Sequence, residues 1–365
     1  VVEPSGRGLE DAARAARYAV FEAHVREGDC LLTAHHADDQ AETMLLRLLR
    51  GSGPRGLAAM ARQRPLGAGI LVRPLLDIKR ADLEAYAIAH QLTWVNDDSN
   101  ADTHYDRNYL RHQVMPSLAG RWPDYTRRWQ QSAQACADSE QLLQELAAED
   151  LARAAPRPER QGASLLLAVL RDMSVARRHN LLRYWFRQQC YAAPEHAHLQ
   201  QLDDQLINGR VDAEADVRWG DVAVQRFRER LYAMPAMTSV PAQKESPPTM
   251  GNLTGTTQDV VLSANALLTF EYCSSAAPAS CLRADISRIE LRWRIGGERC
   301  RPAGRAHSQT LKKLLQEHGL EPWWREQLPL VYVDGHLAAV GDLWVCADFV
   351  AAPGKPGYRL QWHIR

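Results

Sequence analysis

Short apolar runs alternate with amphipathic helical patterns over the first third of the chain, and this alternation limits the possible folds most strongly. Residues 30–34 predict a short buried strand, and residues 38–49 predict a helix that is stopped by glycines. A second strand is predicted over 69–76 and a second helix over 79–92. Strands that alternate with helices indicate an α/β domain with a parallel sheet.

The pattern changes in the middle of the chain. Residues 123–154 predict one long helix, and 164–209 are again helical in pattern, with Ser174 placed to cap a helix at its N-terminus. A strand is predicted over 225–234. The C-terminal part predicts short strands and one helix, over 308–320.

Composition excludes several classes of protein. The 44 basic and 44 acidic residues give a formal net charge of zero, so a nucleic-acid surface would require local clustering of charge. The seven cysteines form no CxxC pair, which argues against a zinc site or a disulfide framework and favours reduced thiols in the cytoplasm. No apolar run approaches the ~20 residues of a membrane span, and the first residues do not resemble a signal peptide.

The predicted helix over 38–49 carries a group of polar side chains at the end of a strand. Asp39 and Glu42 are three positions apart and share one face, and His35 immediately precedes the helix. A helix N-terminus favours an anion, whereas two carboxylates favour a divalent cation or an ammonium group. The pattern therefore indicates a nucleotide with magnesium and a cationic second substrate. The alternative is an exposed polar helix face capped by Asp38.

The stretch RGSGPRGL, residues 50–57, follows this helix. Its glycines allow backbone N–H groups to approach an anion, and Arg50 and Arg55 add positive charge. The alternative is that these glycines simply end the helix, because a glycine-rich helix stop without any ligand would have the same sequence.

Two arginines form a third cluster. Arg107 and Arg111 are four positions apart and share a helical face. They are either aimed at phosphate or paired internally with Asp97, Asp98 or Asp102. From the residues alone, the internal pairing is the favoured interpretation.

Positive charge is concentrated over residues 292–313. Seven Lys or Arg residues lie there against one acid, Glu298, which predicts a surface for nucleic acid or, alternatively, a solvated charged face. The seven are Arg292, Arg294, Arg299, Arg301, Arg305, Lys312 and Lys313. A weaker basic surface is predicted from Arg171, Arg177, Arg178 and Arg183.

Four stretches carry a resemblance to a known family. They are HHADDQAETMLLRLLRGSGPRGLAAM (35–60), RPLL (73–76), DSNADTHYDRNYLRHQVMP (98–116) and the block 292–345 that begins RWRIGGERCRPAGR. Together they resemble tRNA(Ile)-lysidine synthetases. The resemblance implies a cytoplasmic ligase in which ATP, assisted by Mg²⁺, adenylates the C2 oxygen of the wobble cytidine in an isoleucine tRNA with anticodon CAU. Pyrophosphate leaves in that step, and the ε-amine of L-lysine then displaces AMP.

The same resemblance implies a fold. Its class is α/β, with a Rossmann-like catalytic domain of the ATP-pyrophosphatase type, then a helical domain and a small α+β C-terminal domain. The expected parts are an N-terminally shortened catalytic domain (1–122), a long helical connector (123–160), a helical tRNA-binding domain (161–234), a linker with short strands (235–284) and an α+β tRNA-binding domain (285–365).

Residue roles are implied in the same way. Asp39 and Glu42 would hold the lysine ammonium or Mg²⁺, and a carboxylate there would accept the proton that the amine loses. Arg107 would face the α-phosphate or the cytidine intermediate, with Arg111 in support. His35 and His36 would line the adenylate pocket. The nucleotide or tRNA side of the pocket would be shaped by Arg50, Gly51, Ser52 and Gly53.

One departure from the family concerns ATP. Such enzymes carry a phosphate-gripping loop of the form SGGxDS, and these 365 residues contain no such string. We therefore expect the chain to begin after that loop and to show little or no catalysis alone. A tRNA-binding fragment that cannot activate ATP is the alternative. A tRNA thiolase is disfavoured because only Cys30 lies near the polar helix face.

Overall fold

The computed structural model describes residues 9–95, 102–210, 215–236, 253, 255–263, 266–275, 281–286 and 288–364. The chain divides into two compact units, one ending at Leu146 and the other beginning at Ala147. Within the described ranges, no helix is long and apolar enough to cross a membrane. The five-part division of the sequence stays a prediction.

The first unit contains a small mixed sheet and a series of helices. Its strands are β1 (Cys30–Leu32), β2 (Gln63–Leu66) and β3 (Gly69–Val72). Its helices are α1 (Leu9–His24), α2 (Ala37–Leu49), α3 (Pro54–Leu57), α4 (Arg80–Ala89), α5 (Asp106–Tyr109), a π-helical turn (Leu110–Val114), α6 (Met115–Arg121) and most of α7 (Tyr125–Arg153), whose last seven residues belong to the second unit. The sheet order is β1-β3-β2, with β1 parallel and β2 antiparallel to β3.

Strand β1 differs from its prediction. A buried strand was expected, yet Leu32 is 64% exposed, and β3 is the neighbour that pairs with β1 among the described strands. An apolar run gives the same signal at the edge of a sheet and at its centre, because periodicity does not report what covers the strand. The β2–β3 hairpin also makes the second strand end at Val72, earlier than the predicted residue 76.

The second unit begins with helices packed on an antiparallel sheet. Its first strands are β4 (Arg157–Pro158), β5 (Ala163–Leu166), β6 (Asp216–Trp219), β7 (Val222–Phe227) and β8 (Arg230–Pro235), in the order β4-β5-β8-β7-β6. Its first helices are α8 (Leu167–Asp172), α9 (Val175–Gln188), α10 (His196–Gln201) and a π-helical turn (Leu202–Ile207). The predicted helical region is therefore present from Leu167, whereas residues 164–166 form part of strand β5 instead of a helix. The helices pack on a sheet of which the sequence indicated one strand.

Helix α9 shows why this region folds as it does. Ser174 caps it as predicted, since its side chain accepts a hydrogen bond from the Arg177 N–H. Trp185 and Phe186 are fully buried against the sheet. Arg178 is 4% exposed and donates to Asp203 at 2.7 Å, so its assignment to a second basic surface was wrong. A helical wheel cannot separate a solvated arginine from one that is paired inside the core.

Two four-stranded sheets and two helices share one core in the C-terminal part. The strands are β9 (Gln258–Ser263), β10 (Ala266–Cys273), β11 (Leu282–Arg283), β12 (Ile289–Arg292), β13 (Arg299–Cys300), β14 (Gln309–Thr310), β15 (Leu330–Val333), β16 (His336–Val340), β17 (Trp344–Val345) and β18 (Gly357–Ile364). The helices are α11 (Leu311–His318) and α12 (Pro322–Arg325). The sheets have the orders β11-β18-β10-β9 and β12-β15-β16-β17, and β13 pairs with β14.

A disulfide joins Cys300 and Cys346 in this part of the chain. Reduced thiols were expected for all seven cysteines, so the expectation was wrong for this pair. The two residues are 46 positions apart and meet only because β13 and the segment after β17 pack together. No spacing rule on a single sequence detects such a contact.

Candidate active site

The start of α2 places the polar residues of the site. His36 is its N-cap: the Asp39 N–H donates to His36 Nδ1 (3.4 Å), and the His36 N–H donates to Asp39 Oδ2 (3.0 Å). This reciprocal capping fixes the Asp39 carboxylate relative to the helix end. Asp38 does not cap α2; its carboxylate accepts the backbone N–H of Arg80 at the start of α4.

Two carboxylates and two guanidinium groups meet beside α2. Arg107 donates to Glu42 Oε2 (2.8 Å) and to Asp39 Oδ1 (3.0 Å). Arg111 donates through Nε to Glu42 Oε1 (2.7 Å), and through Nη2 to Glu42 Oε2 (2.8 Å) and Asp39 Oδ1 (3.1 Å). We call Asp39, Glu42, Arg107 and Arg111 the charged quartet. Sequence spacing put each pair on one helical face, and the fold places the two faces together.

Burial makes the charged quartet electrostatically strong. Glu42 is 2% exposed, so its charge is tolerable only because both guanidinium groups compensate it. Hydrogen bonds from Arg111 to Glu42 raise the pKa of Arg111 still further, against the effect of burial. Burial, with the charges of Asp38 and Glu42, raises the pKa of Tyr125 to about 12. The alternative of an exposed polar helix face is therefore wrong for Asp39 and Glu42.

Arg107 and Arg111 are paired internally, as the favoured interpretation had it, but with other carboxylates than the ones expected. Asp97 and Asp98 lie outside the described residues, and Asp102 accepts the backbone N–H of His104. The described partners of both arginines are instead the carboxylates of α2, some 65 to 72 positions earlier in the chain. Complementary charge at helical spacing in both segments was the one signal that could have suggested this pairing.

The glycine-rich stretch after α2 is held by two side chains that sequence reasoning missed. Arg47 donates to the carbonyls of Gly56 and Ala59, each at 2.7 Å. The Gln40 side-chain amide donates to Met60 O (2.8 Å) and accepts from Met60 N (2.7 Å). These bonds fold the segment back onto α2.

The predicted nucleotide-side residues divide into two groups. His35 is half-buried beside Thr33 Oγ1 (3.0 Å), and burial lowers its pKa although the charge of Asp39 opposes this shift. His36 is the helix cap already described. Arg50, Gly51, Ser52 and Gly53 lie at the opposite end of α2, largely exposed, with Gly51 at a positive φ of 69°. One helix of 13 residues thus separates the two groups.

Magnesium does not fit the charged quartet as it stands. Both oxygens of Glu42 accept from guanidinium groups, Asp39 Oδ1 does so as well, and Asp39 Oδ2 accepts from the His36 backbone. Mg²⁺ prefers oxygen ligands at near-ideal octahedral geometry, and no described group of three or more acidic, histidine or cysteine side chains could supply them.

The seven basic residues predicted to bind tRNA all lie in the C-terminal part, and most are paired. The pairs are Arg292–Glu290, Arg294–Glu298, Arg301–Asp348, Arg305–Glu317 and Lys313–Glu317. Arg299 donates to the Ser308 carbonyl. Seven cations thus face four carboxylates, which leaves three net positive charges where the linear count gave six. Three of these acids lie outside the counted stretch and are brought in by folding.

Comparison with known proteins assigns the chain to a family. Family models match as a PP-loop domain over residues 1–118, a TilS substrate binding domain over 165–232 and a TilS substrate C-terminal domain over 289–362. The tRNA(Ile)-lysidine synthase of Alkalilimnicola ehrlichii is 42% identical over 98% of this chain and 77% of its own length. That of Serratia proteamaculans is 41% identical over 99% of this chain and 80% of its own length. The chain belongs to the tRNA(Ile)-lysidine synthase family.

Membership of this family confirms the resemblance found in the sequence. The family is one of ligases, its PP-loop domain implies the use of ATP, and its TilS domains indicate tRNA as substrate. A solved structure of a TILS C-terminal domain is 17% identical, with a TM-score of 0.24, over 33% of this chain and 94% of that structure.

Proposed function

We propose that this protein ligates L-lysine to C2 of the wobble cytidine in an isoleucine tRNA with anticodon CAU, in the cytoplasm and at the expense of ATP. The observation that carries the proposal is the charged quartet, in which two carboxylates are held at a helix start by two arginines. A site that binds both an adenylate and an amine needs both signs of charge, and the quartet supplies both.

The reaction divides into two displacements. The cytosine C2 oxygen attacks the α-phosphorus of ATP, so that an O–P bond forms, the bond to the β-phosphate breaks and pyrophosphate leaves. The lysine ε-amine then forms a C–N bond at C2, the C2–O bond breaks and AMP leaves with that oxygen. The ammonium must lose a proton before it attacks, and in this proposal a carboxylate of Asp39 or Glu42 would accept it once Arg107 has left the quartet.

Charge balance suggests how the charged quartet admits lysine. Arg107 makes two hydrogen bonds to the carboxylates and Arg111 makes three. If Arg107 swings to the adenylate phosphate, the remaining three groups carry one net negative charge, which matches one lysine ammonium. Arg111 then keeps the two carboxylates in place. Magnesium is proposed only as the ion that accompanies ATP, not as a ligand of Asp39 or Glu42.

The test follows radiolabelled lysine into an isoleucine tRNA transcript. It is run with an SGGxDS segment present, since these 365 residues contain none, and a methionine tRNA with the same anticodon serves as the substrate control. Asp39→Asn and Glu42→Gln are expected to raise the KM for lysine about tenfold or more, because each removes a charged partner of the ammonium. Arg107→Gln is expected to lower kcat about 100-fold without changing tRNA affinity.

A matched control is Arg127→Gln. Arg127 is exposed and pairs with Asp124 on the surface, so the change should leave both constants near their original values. If the protein without substitutions, assayed with the SGGxDS segment present, fails to label isoleucine tRNA, the proposed function is overturned. Unchanged lysine KM in both carboxylate variants would overturn the proposed roles of Asp39 and Glu42.

A further inference from the structure

A cavity of about 610 Å³ lies in the C-terminal part, far along the chain from the charged quartet. Its walls come from strands β10, β11 and β18 and from the segment that precedes β18. Its volume is that of a small-molecule site. None of the seven basic residues predicted to bind tRNA lines it, so neither the proposed reaction nor the predicted tRNA surface uses it.

Two tyrosines from adjacent strands form one wall of the cavity. Tyr272 and Tyr358 are paired in register across β10 and β18, with ring centroids 5.6 Å apart at 63°. Tyr358 is fully buried, and its hydroxyl accepts the backbone N–H of Gly255 (2.8 Å), which fixes that ring. Tyr272 packs against the fixed ring and is only half-buried, so part of its ring is open to the cavity.

Two cations also line the cavity, Arg283 and Lys355. The Arg283 guanidinium lies over the Phe349 ring at 5.5 Å, and its Nε is 3.3 Å from Asp285, whose side chain is 78% exposed. Lys355 lies in a turn closed by its own N–H to the Ala352 carbonyl (3.0 Å). In the described part of the chain no carboxylate pairs with Lys355. The cavity thus has an excess of positive charge beside an aromatic surface.

The remaining lining is small and apolar, and includes Val350 and Pro356. A ligand with a planar ring and a separate anionic group satisfies all three features, because the ring stacks on a tyrosine, the edges of the ring contact the apolar walls and the anionic group pairs with the cations. We propose that this cavity binds a nucleotide, with the base against Tyr272 and the phosphate between Arg283 and Lys355. The nucleotide is an unpaired residue of bound RNA or a free nucleoside monophosphate. Only the RNA source rests on the proposed function.

The experiment titrates the protein with uridine monophosphate and with single-stranded oligouridylate, since uridine is neither the adenylate nor the cytidine of the proposed reaction. Arg283→Gln and Lys355→Gln are each expected to weaken binding about 5- to 10-fold. Each should also lower the slope of log Kd for oligouridylate against log salt concentration by about one. Tyr272→Ala is expected to weaken binding about tenfold, and Tyr272→Phe to leave it near the original value.

The matched control is Arg359→Gln, an exposed arginine on β18 that pairs with Glu271 and does not line the cavity. Thermal unfolding of Tyr272→Ala shows whether that variant is folded, and the arginine and lysine variants test the proposal independently of it. Binding of oligouridylate much more tightly than of the mononucleotide identifies RNA as the source, whereas equal binding identifies a free nucleotide.

Two further outcomes separate this proposal from the proposed function. If isoleucine tRNA and lysine react but none of the cavity variants changes uridine binding, the cavity proposal is overturned and the proposed function stands. If the cavity binds uridine monophosphate in the expected order of variants while no tRNA is bound or modified, the proposed function fails and the cavity proposal stands.

Discussion

Glu42 is the residue on which the charged quartet depends most. Its side chain is almost completely buried, and both of its oxygens accept from guanidinium groups. Glu42→Gln removes the charge but keeps the shape, and leaves two arginines with one carboxylate between them. Breaking a buried ion pair from one side costs about 3–5 kcal/mol. Since both arginines retain some exposure, we expect a loss of about 3 kcal/mol in the free energy of unfolding of the first unit, measured in urea.

Glu84→Gln provides the control for this measurement. Glu84 pairs with Arg80 four positions earlier, and both side chains are about half exposed. An exposed pair of this kind contributes about 0.3–0.5 kcal/mol. Equal losses in the two variants would show that burial of Glu42 is not what makes the quartet strong.

His35 gives the first unit a pH dependence. Burial lowers its pKa below the ordinary value of 6.5, so below about pH 6.5 the unfolded chain takes up a proton that the folded chain resists. Stability from this residue is therefore present at neutral pH and is lost as the pH falls from about 6.5 toward the lowered folded-state pKa. His35→Asn should flatten the loss of melting temperature between about pH 7.5 and 5.5. A variant as acid-sensitive as the original protein would contradict this assignment.

At the scale of elements, α2 and the segment after it form one assembly through Gln40. The Gln40 amide satisfies both backbone groups of Met60, and both residues are buried. Gln40→Met keeps the length of the side chain but leaves those two groups without partners. Each buried group left unsatisfied costs about 1–3 kcal/mol. We expect the variant to lower the free energy of unfolding by about 2 kcal/mol and to speed amide hydrogen exchange at Met60.

Gln134→Met is the matched control, because Gln134 is an exposed residue of α7 whose side-chain amide donates to Asp138 one turn later on the same helix. Its free energy of unfolding should change by less than about 0.5 kcal/mol. Slow exchange retained at Met60 in Gln40→Met would show that the segment holds its position without the amide.

Elements with a strong local signal could be predicted from the sequence. Helices α2 and α4 have helical apolar spacing within one short window, and the structure contains them at Ala37–Leu49 and Arg80–Ala89, where 38–49 and 79–92 were predicted. Ser174 begins α9 as predicted. The sheet β4-β5-β8-β7-β6 could not be predicted, because its strands are short and their partners lie up to 70 positions away. Such pairing is decided by tertiary contacts that local patterns do not encode.

In the candidate site, too, the local pattern could be predicted from the sequence and the tertiary pairing could not. Each half of the charged quartet was visible as two like charges on one helical face, three apart for Asp39 and Glu42 and four apart for the arginines. That the halves neutralise one another was not visible, because a π-helical turn carries Arg111 and sets the angle at which it reaches Glu42. Residue type and spacing identify candidates, and partners appear only once the chain is folded.

At the scale of the whole molecule, folding brings acidic side chains from elsewhere in the chain next to the basic stretch 292–313. Acids from β12, α11 and the segment after β17 neutralise much of the predicted tRNA surface. Lys312 keeps no described carboxylate partner, and Lys313 has only a long contact of 3.9 Å with Glu317. These two lysines, side by side on α11, are therefore the cations of the block most available to a phosphate backbone.

Reversing both lysines tests this surface. The double variant Lys312→Glu and Lys313→Glu should weaken tRNA binding by at least tenfold at low salt. The slope of log Kd against log salt concentration should fall by about two, since about two fewer counterions are released on binding. The matched control is Arg127→Glu with Arg128→Glu, which reverses the same number of charges at two adjacent exposed positions of α7. Filter binding with isoleucine tRNA across a salt series measures both. Equal weakening in the two double variants would mean that tRNA responds to overall charge, and unchanged affinity in the first would remove α11 from the binding surface.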